Sequence, residues 1–356
     1  LIISPWNFPF NLTFVPFVSA IAAGNCVIIK PSEMTPHIAT VMHKIVSEIF
    51  DPNEVALIEG GIETSTELLK LPFNHIFFTG APSIGKVVME AAAKNLTSVT
   101  LELGGKSPTI VDESADLELA AKRIALAKWA NNGQICIAPD FVYVHESQSD
   151  KFLSLTQKYI QQFYGIDAAT EPSYNRIVNR RHFDRIKSYI DDAVTKGANI
   201  ITGGQLKETE NFIAPTIMTN VDKKSSLMTN EIFGPVLPVY TYSKLEDVVE
   251  EIRSGEKPLA LYIFSKSNKN TNYILNNTRA GGGCINHCGV HYYNTNLPFG
   301  GSNNSGIGKS HGFEGFKSFS NGRGILKQHI PNAIELLVPP FNSFKQKIID
   351  LTIKYF

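Results

Sequence analysis

The sequence predicts an α/β protein of two domains, and three observations carry that expectation. Short β-rich runs alternate with helical patterns through the first hundred or so residues. The alternation starts afresh at Pro108. The chain's 356 residues, 43% of them hydrophobic, are enough to build two cores.

In chain order, strands are expected at 1–4, 26–30, 55–59, 75–79 and 99–103, the period and composition of a parallel sheet covered on both faces. The clearest helix follows Thr35 as N-cap and Pro36 in its first turn. Ile38, Val41, Met42, Ile45, Val46 and Ile49 repeat there at three- and four-residue spacing, a face expected to cover the sheet. A second helix begins near Ser83, carries Val87, Val88, Ala91 and Ala92, and ends at Asn95. That makes residues 80–85 a strand-to-helix turn, where nucleotide phosphates commonly dock. Beyond Pro108 the expected order is a helix over 116–130, the turn NNGQIC and the strand FVYVHE, which opens a second α/β domain. A cleft between two such domains is a preferred ligand site. After Gly300 the chain turns glycine- and serine-rich, and a late isolated strand, GILKQ, is expected to pair with another subunit.

Lysine plus arginine equals aspartate plus glutamate at 33 each, which gives no electrostatic argument for a nucleic-acid partner. No apolar run is long enough to span a bilayer, and LIISPWNFPF has neither a basic start nor a small-residue cleavage site. Cys26, Cys136, Cys284 and Cys288 do not form a disulfide framework and are expected as free thiols, so the expected location is the cytoplasm. The chain opens on the strand-like LIIS without methionine, and is read as a fragment lacking its native N-terminus.

Cys136 follows a helix ended by Gly133, in a turn that can expose a thiolate and free its flanking N–H groups. A lone cysteine is more often a small buried apolar residue, and position alone does not overturn that. Glu102 sits in the apolar strand TLELGG just before two glycines. Burial would raise its pKa and make it a general base; the alternative is a pair with Lys106. Two segments approach a phosphate-binding P-loop. GAPSIGKV has Val87 where a magnesium-binding hydroxyl is needed, and NNSGIGKS has Asn303 where the first glycine belongs, so nucleotide hydrolysis is a remote alternative. CINHCGVHY invites a zinc reading by ligand type, but its ligands crowd too closely for one tetrahedral site, and no metal is expected.

Taken in order, PWNFPFNL, KPSE, ELGGKSP, GQICIAPD, EIFGPV and LPFGGSNNSGIG resemble the aldehyde dehydrogenase superfamily over residues 1 to about 340. Pro139 and Asp140 after the cysteine, and KPLALYIFS, resemble its class 3 and fatty aldehyde branch. The resemblance implies a variant Rossmann domain without GxGxxG over 1–103, N-terminally incomplete, and a catalytic domain over 104–310. It also implies a bridging arm over 311–330 that forms a homodimer, with a tail over 331–356. By motif position it implies that Cys136 is the nucleophile, Glu102 the base and Asn7 the side-chain donor to the oxyanion. Lys30 and Glu33 would contact the adenosine ribose, Gly80 to Gly85 would underlie the pyrophosphate, and Trp6 and Leu103 would line the cofactor site. Glu231 and Phe233 would hold the nicotinamide ribose and ring. Ala81 and Pro82 depart from the family, which usually offers a serine hydroxyl after Gly80.

The implied chemistry is oxidation of an aliphatic or aromatic aldehyde by NAD, with NADP possible, through a thiohemiacetal and thioester on Cys136. Glu33 would repel the extra phosphate of NADP. A fragment that keeps the motifs but does not complete the cofactor domain is the alternative. The tail FKQKIIDLTIKYF places Phe344, Ile348, Leu351 and Tyr355 on one helical face; packing is the commoner fate of such a stripe, membrane contact the other.

Overall fold

The computed structural model describes residues 1–329, 335 and 337–355. The first half alternates as expected: β1 (Ile2–Ile3), α1 (Asn11–Ala22), β2 (Val27–Lys30), α2 (Pro36–Ile49), β3 (Val55–Leu57), α3 (Ile62–Leu68), β4 (His75–Thr79), α4 (Pro82–Ala93) and β5 (Ser98–Glu102). The second series is β6 (Pro108–Val111), α5 (Leu117–Trp129), β7 (Phe141–His145), α6 (Ser149–Tyr164), α7 (Arg180–Thr195), β8 (Asn199–Thr202), β9 (Leu206–Lys207), β10 (Phe212–Ile213) and β11 (Thr216–Thr219). It continues through α8 (Ser226–Thr229), β12 (Val236–Tyr242), α9 (Leu245–Ser254), β13 (Ala260–Phe264), α10 (Asn268–Asn277), β14 (Gly282–Ile285), β15 (Gly306–Ile307), α11 (Gly312–Ser318) and α12 (Ser343–Tyr355).

The first sheet runs β15-β5-β4-β1-β2-β3, parallel except for β15. Alternate residues serve its two faces. Ile2, Ile29 and Phe77 pack with Met42 and Val46 of α2 on one face, and Ile3, Ile76 and Phe78 with Val88 and Ala92 of α4 on the other. This explains strands that read as continuous apolar runs. From β1 the chain winds outward to β2 and β3, then returns to β4 on the other side, so the order reverses between β1 and β4. Ligands of open α/β sheets bind at such a switch point, outside the carboxyl ends of the strands.

The second sheet runs β14-β13-β6-β7-β12-β11-β8, with only β8 antiparallel. Its largest core gathers Ile124, Trp129, Val142, Phe152 and Tyr262. Asp116 caps α5 by accepting from Leu119 N at 3.1 Å. After β14 the chain crosses back, and β15 pairs with β5 through Gly306 opposite Glu102.

One expectation is corrected. Helix α2 buries Ala39, Met42 and Val46, whereas Ile38, Val41 and Ile49 lie on an adjacent exposed stripe, Ile49 at 66%. The apolar arc is wider than the strip the sheet covers. In the tail no residue of α12 is buried, and Phe344, Leu351 and Tyr355 are exposed. The chain divides into two compact units, Leu1–Phe319 and Ser320–Phe356. Of the tail expected over 331–356, residues 331–334, 336 and 356 lie outside the described residues. Residues 320–329, which include GILKQ, form no strand within this chain. Among the described residues no helix is long and apolar enough to cross a membrane.

Candidate active site

The loop leaving β1 carries Trp6 and Asn7, and the turn after α5 locks onto it. Asn7 Nδ2 donates to Gln134 O at 2.9 Å, and Asn131 Nδ2 donates to Asn7 O at 3.1 Å. The turn is tight because Asn131, Asn132 and Gly133 all take positive φ. A Cβ on Gly133 would lie 2.3 Å from Gly234 O, so only glycine fits there. Cys136 leaves this turn half-buried.

Burial, then the nearby Glu231 and Glu102 carboxylates, push the Cys136 thiol up to about 12; the N–H groups of Cys136 and Ile137 act in the opposite direction. The repulsion depends on ionised neighbours. Burial holds both Glu102 and Glu231 at about 8, so near pH 7 each is mostly neutral and the sulfur faces little negative charge.

Glu102 ends β5. Its Oε1 accepts from Ser310 Oγ at 2.8 Å, and its buried Oε2 has no hydrogen-bond partner among the described residues. The Ser310 bond and the Lys309 charge oppose the rise in pKa, but burial is larger. Lys106 does not pair with Glu102: its ammonium binds Asp140 Oδ2 and the carbonyls of Leu227 at 2.6 Å and Asn230 at 2.9 Å. Asp140 Oδ1 in turn accepts from Ile232 N at 3.0 Å.

That network positions the loop of Glu231 and Phe233. Arg185 grips it from the other side through Ile232 O at 2.9 Å and Phe233 O at 3.4 Å. Glu231 lies hard against Gly104, where a Cβ would come within 2.1 Å of its carboxylate. Phe233 meets Trp6 edge to face at 5.6 Å, and Trp6 meets His182 at 5.3 Å.

Three cavities converge on Cys136. One, of about 410 Å³, lies at the switch point and is walled by Trp6, Asn7, Gly80, Leu103, Glu231 and Phe233, with Glu102 and Cys136 at its inner end. A second, of about 340 Å³, is largely apolar, with Phe8, Leu12, Leu126, Ile135, Val290 and Tyr292 among its walls. The third, about 20 Å³, has the size of a single water and lies among Glu102, Cys136, Tyr292, Ser310 and His311.

The first cavity suits a dinucleotide. Helix α4 points its N-terminus there through Ala81 and Ser83, with no acidic residue in its first turn, so its free N–H groups favour an anion. Pro82 at the helix start removes only an N–H that has no helical partner. Not every expected residue lines this cavity. Gly85 is buried on the packing face of α4, where a Cβ would press on Leu103 at 2.7 Å. Lys30 is buried and pairs with Glu33 at 3.2 Å, and neither is among the residues that wall this cavity.

The two P-loop look-alikes have other roles. In GAPSIGKV, Lys86 is exposed on the body of α4. In NNSGIGKS, Lys309 binds the carbonyls of Gly300 and Gly301, and Ser310 serves Glu102. In CINHCGVHY, Cys284 Sγ lies 3.3 Å from His291 Nδ1 while Cys288 faces the apolar cavity. Sequence reasoning missed Ser310, Arg185 and the role of Lys106. Ser310 lies 208 residues from Glu102, so no local spacing announces it.

Comparison with known proteins places this geometry in a family. The model of the aldehyde dehydrogenase family matches residues 1–325. The rat dimeric NADP-preferring aldehyde dehydrogenase is 44% identical over 332 residues, 93% of this chain and 72% of that protein. Rat aldehyde dehydrogenase family 3 member A2 is 44% identical over 92% of this chain and 66% of its own length. The substrate-bound structure of Staphylococcus aureus AldH superposes with a TM-score of 0.92 at 42% identity, covering 99% of this chain and 76% of that one. The family uses NAD or NADP, which agrees with the fit of the switch-point cavity to a dinucleotide. With a cysteine, a carboxyl of raised pKa and a cleft at the switch point of the sheet brought together on this fold, the chain belongs to the aldehyde dehydrogenase family and to its class of oxidoreductases.

Proposed function

We propose that this chain oxidises aliphatic or aromatic aldehydes to carboxylic acids through a thioester on Cys136, with NAD as the favoured dinucleotide. The observation that carries the reading is the convergence of all three cavities on one sulfur. The dinucleotide cleft, the apolar entry and the water-sized chamber each have Cys136 in their walls.

Cys136 gives its proton to water, and the thiolate adds to the carbonyl carbon of an aldehyde entering along the apolar cavity. Asn7 spends one amide hydrogen on Gln134 O and keeps its second for the oxyanion, together with the Cys136 N–H. Losing one such donor slows chemistry by about 10² to 10³. When bound, the dinucleotide supplies the hydride acceptor. Trp6, Gly80, Leu103, Glu231 and Phe233 would hold it, with Glu231 at the ribose and Phe233 at the ring, while Gly85 lets α4 close on Leu103. Lys30 and Glu33 are assigned to the adenosine ribose, and the Glu33 carboxylate, 44% exposed, disfavours an added phosphate there.

Glu102 then deprotonates a water in the small chamber, and that water hydrolyses the thioester. A carboxyl near 8 is suited to this work at neutral pH, because proton transfer is most efficient when the pKa lies near the working pH. On this reading the first sheet forms a cofactor domain and the second a catalytic domain. A homodimer is part of the proposal, supported by the dimeric relative and by residues 321–329, which form no strand within this chain. A reducing, cytoplasmic setting fits four free cysteines.

The test is Cys136→Ala. Aldehyde-dependent dinucleotide reduction should vanish while dinucleotide still quenches or shifts tryptophan fluorescence, since Trp6 lines its cavity. Retained turnover would remove Cys136 from the chemistry.

A further inference from the structure

Helix α5 turns one face to the apolar cavity. Arg123, Leu126, Ala127 and Ala130 line it at helical spacing, and Ala130 begins the turn that leads to Cys136. At the α-helical rise, Arg123 lies ~10 Å along the axis from Ala130. The cavity therefore has a reactive end and a far end.

The far end carries a charge. Arg123 is the single residue with a permanent charge among the described residues that wall this cavity. Its guanidinium donates through Nη1 to the backbone carbonyl of Asn286, and no carboxylate pairs with it among the described residues. Most of the guanidinium fork is left for another acceptor, and a carboxylate is the acceptor whose geometry it matches. The charge also acts on the cavity wall: burial raises the Cys288 thiol, and Arg123 opposes that rise. An unpaired cation beside apolar walls attracts an anion more strongly than one in bulk water.

We infer that Arg123 is a specificity-determining residue that binds the terminal carboxylate of an aldehyde acid. The favoured substrates are medium-chain semialdehydes, with the aldehyde carbon at Cys136, the methylene chain along Leu126, Ile135 and Val290, and the carboxylate at Arg123. The inference rests on Cys136 as the reacting sulfur. Oxidation of such a substrate yields a dicarboxylate, so the reaction that supplies it must leave an aldehyde at one end of an already carboxylated chain.

The experiment compares suberic semialdehyde with octanal, which share chain length and differ in the terminal carboxylate. Wild type, Arg123→Gln and Arg123→Lys are assayed for kcat/KM. In Arg123→Gln the semialdehyde should lose about tenfold or more, through KM, as expected for one charge-assisted hydrogen bond, while octanal changes little. Arg123→Lys should recover part of the loss. Independently of turnover, suberate should slow iodoacetamide alkylation of Cys136 in wild type and not in Arg123→Gln. Equal losses for both substrates, an unchanged ratio between them, or equal protection by suberate in both proteins overturns the inference. If wild type oxidises octanal yet shows no Arg123-dependent discrimination, the inference fails and the Cys136 reading stands. If turnover survives Cys136→Ala, the Cys136 reading itself fails.

Discussion

Replacing Glu102 by glutamine tests the burial of its carboxyl without asking for turnover. In the folded chain the carboxyl is raised from its ordinary 4.5 to about 8, chiefly by burial. Between those values the unfolded chain has released its proton while the folded chain keeps it, so folding stability falls as pH rises. Each pH unit in that window costs about 1.36 kcal/mol, and the loss from pH 5 to pH 8 attributable to this residue is about 3 kcal/mol. Glutamine has the same shape and does not titrate. The difference in unfolding free energy between Glu102→Gln and wild type, measured by urea denaturation, should therefore grow in favour of the variant by about 3 kcal/mol across that range. Glu231 has a similar raised value, but it is present in both proteins and cancels. A difference that stays constant with pH would show that Glu102 is not held as a buried neutral acid, and the argument for its role as base would lose its physical footing.

Three further outcomes follow from the same geometry. Asn7→Ala should lower kcat about 10² to 10³-fold, read by steady-state turnover, while alkylation of Cys136 proceeds at the wild-type rate. Ser310→Ala removes the hydrogen bond that favours ionised Glu102, so the alkaline-rising limb of the pH profile should move up by about one unit; an unmoved limb would detach Ser310 from the base. Arg185→Met frees the carbonyls of residues 232 and 233, and fluorescence titration should show dinucleotide binding weakened about tenfold.

The first sheet was legible because its strands and helices carry their own periods, and β4 came out at the expected residues, 75–79. Cys136, Glu102 and Asn7 were legible as motifs, and the structure brings Cys136 into the walls of one cavity with the other two. What stayed hidden depended on distance in the chain. Lys106 looks like a partner for Glu102 four residues away, but β5 ends at Glu102 while the chain moves on to the second sheet, and Lys106 is carried to Asp140. Ser310 reaches Glu102 because β15 returns to the first sheet, which no local pattern reveals. The α2 stripe misled because hydrophobic periodicity marks an apolar face without saying how much of it a sheet covers.

The most direct test of the account is the mass of the acylated enzyme. Glu102→Gln mixed with octanal and NAD should form a thioester that it hydrolyses slowly. Intact mass spectrometry should then show one octanoyl group, and peptide mapping should place it on Cys136. No adduct together with normal turnover, or an adduct on Cys284 or Cys288 instead, would contradict the assignment of Cys136 as the nucleophile and Glu102 as the base that releases it.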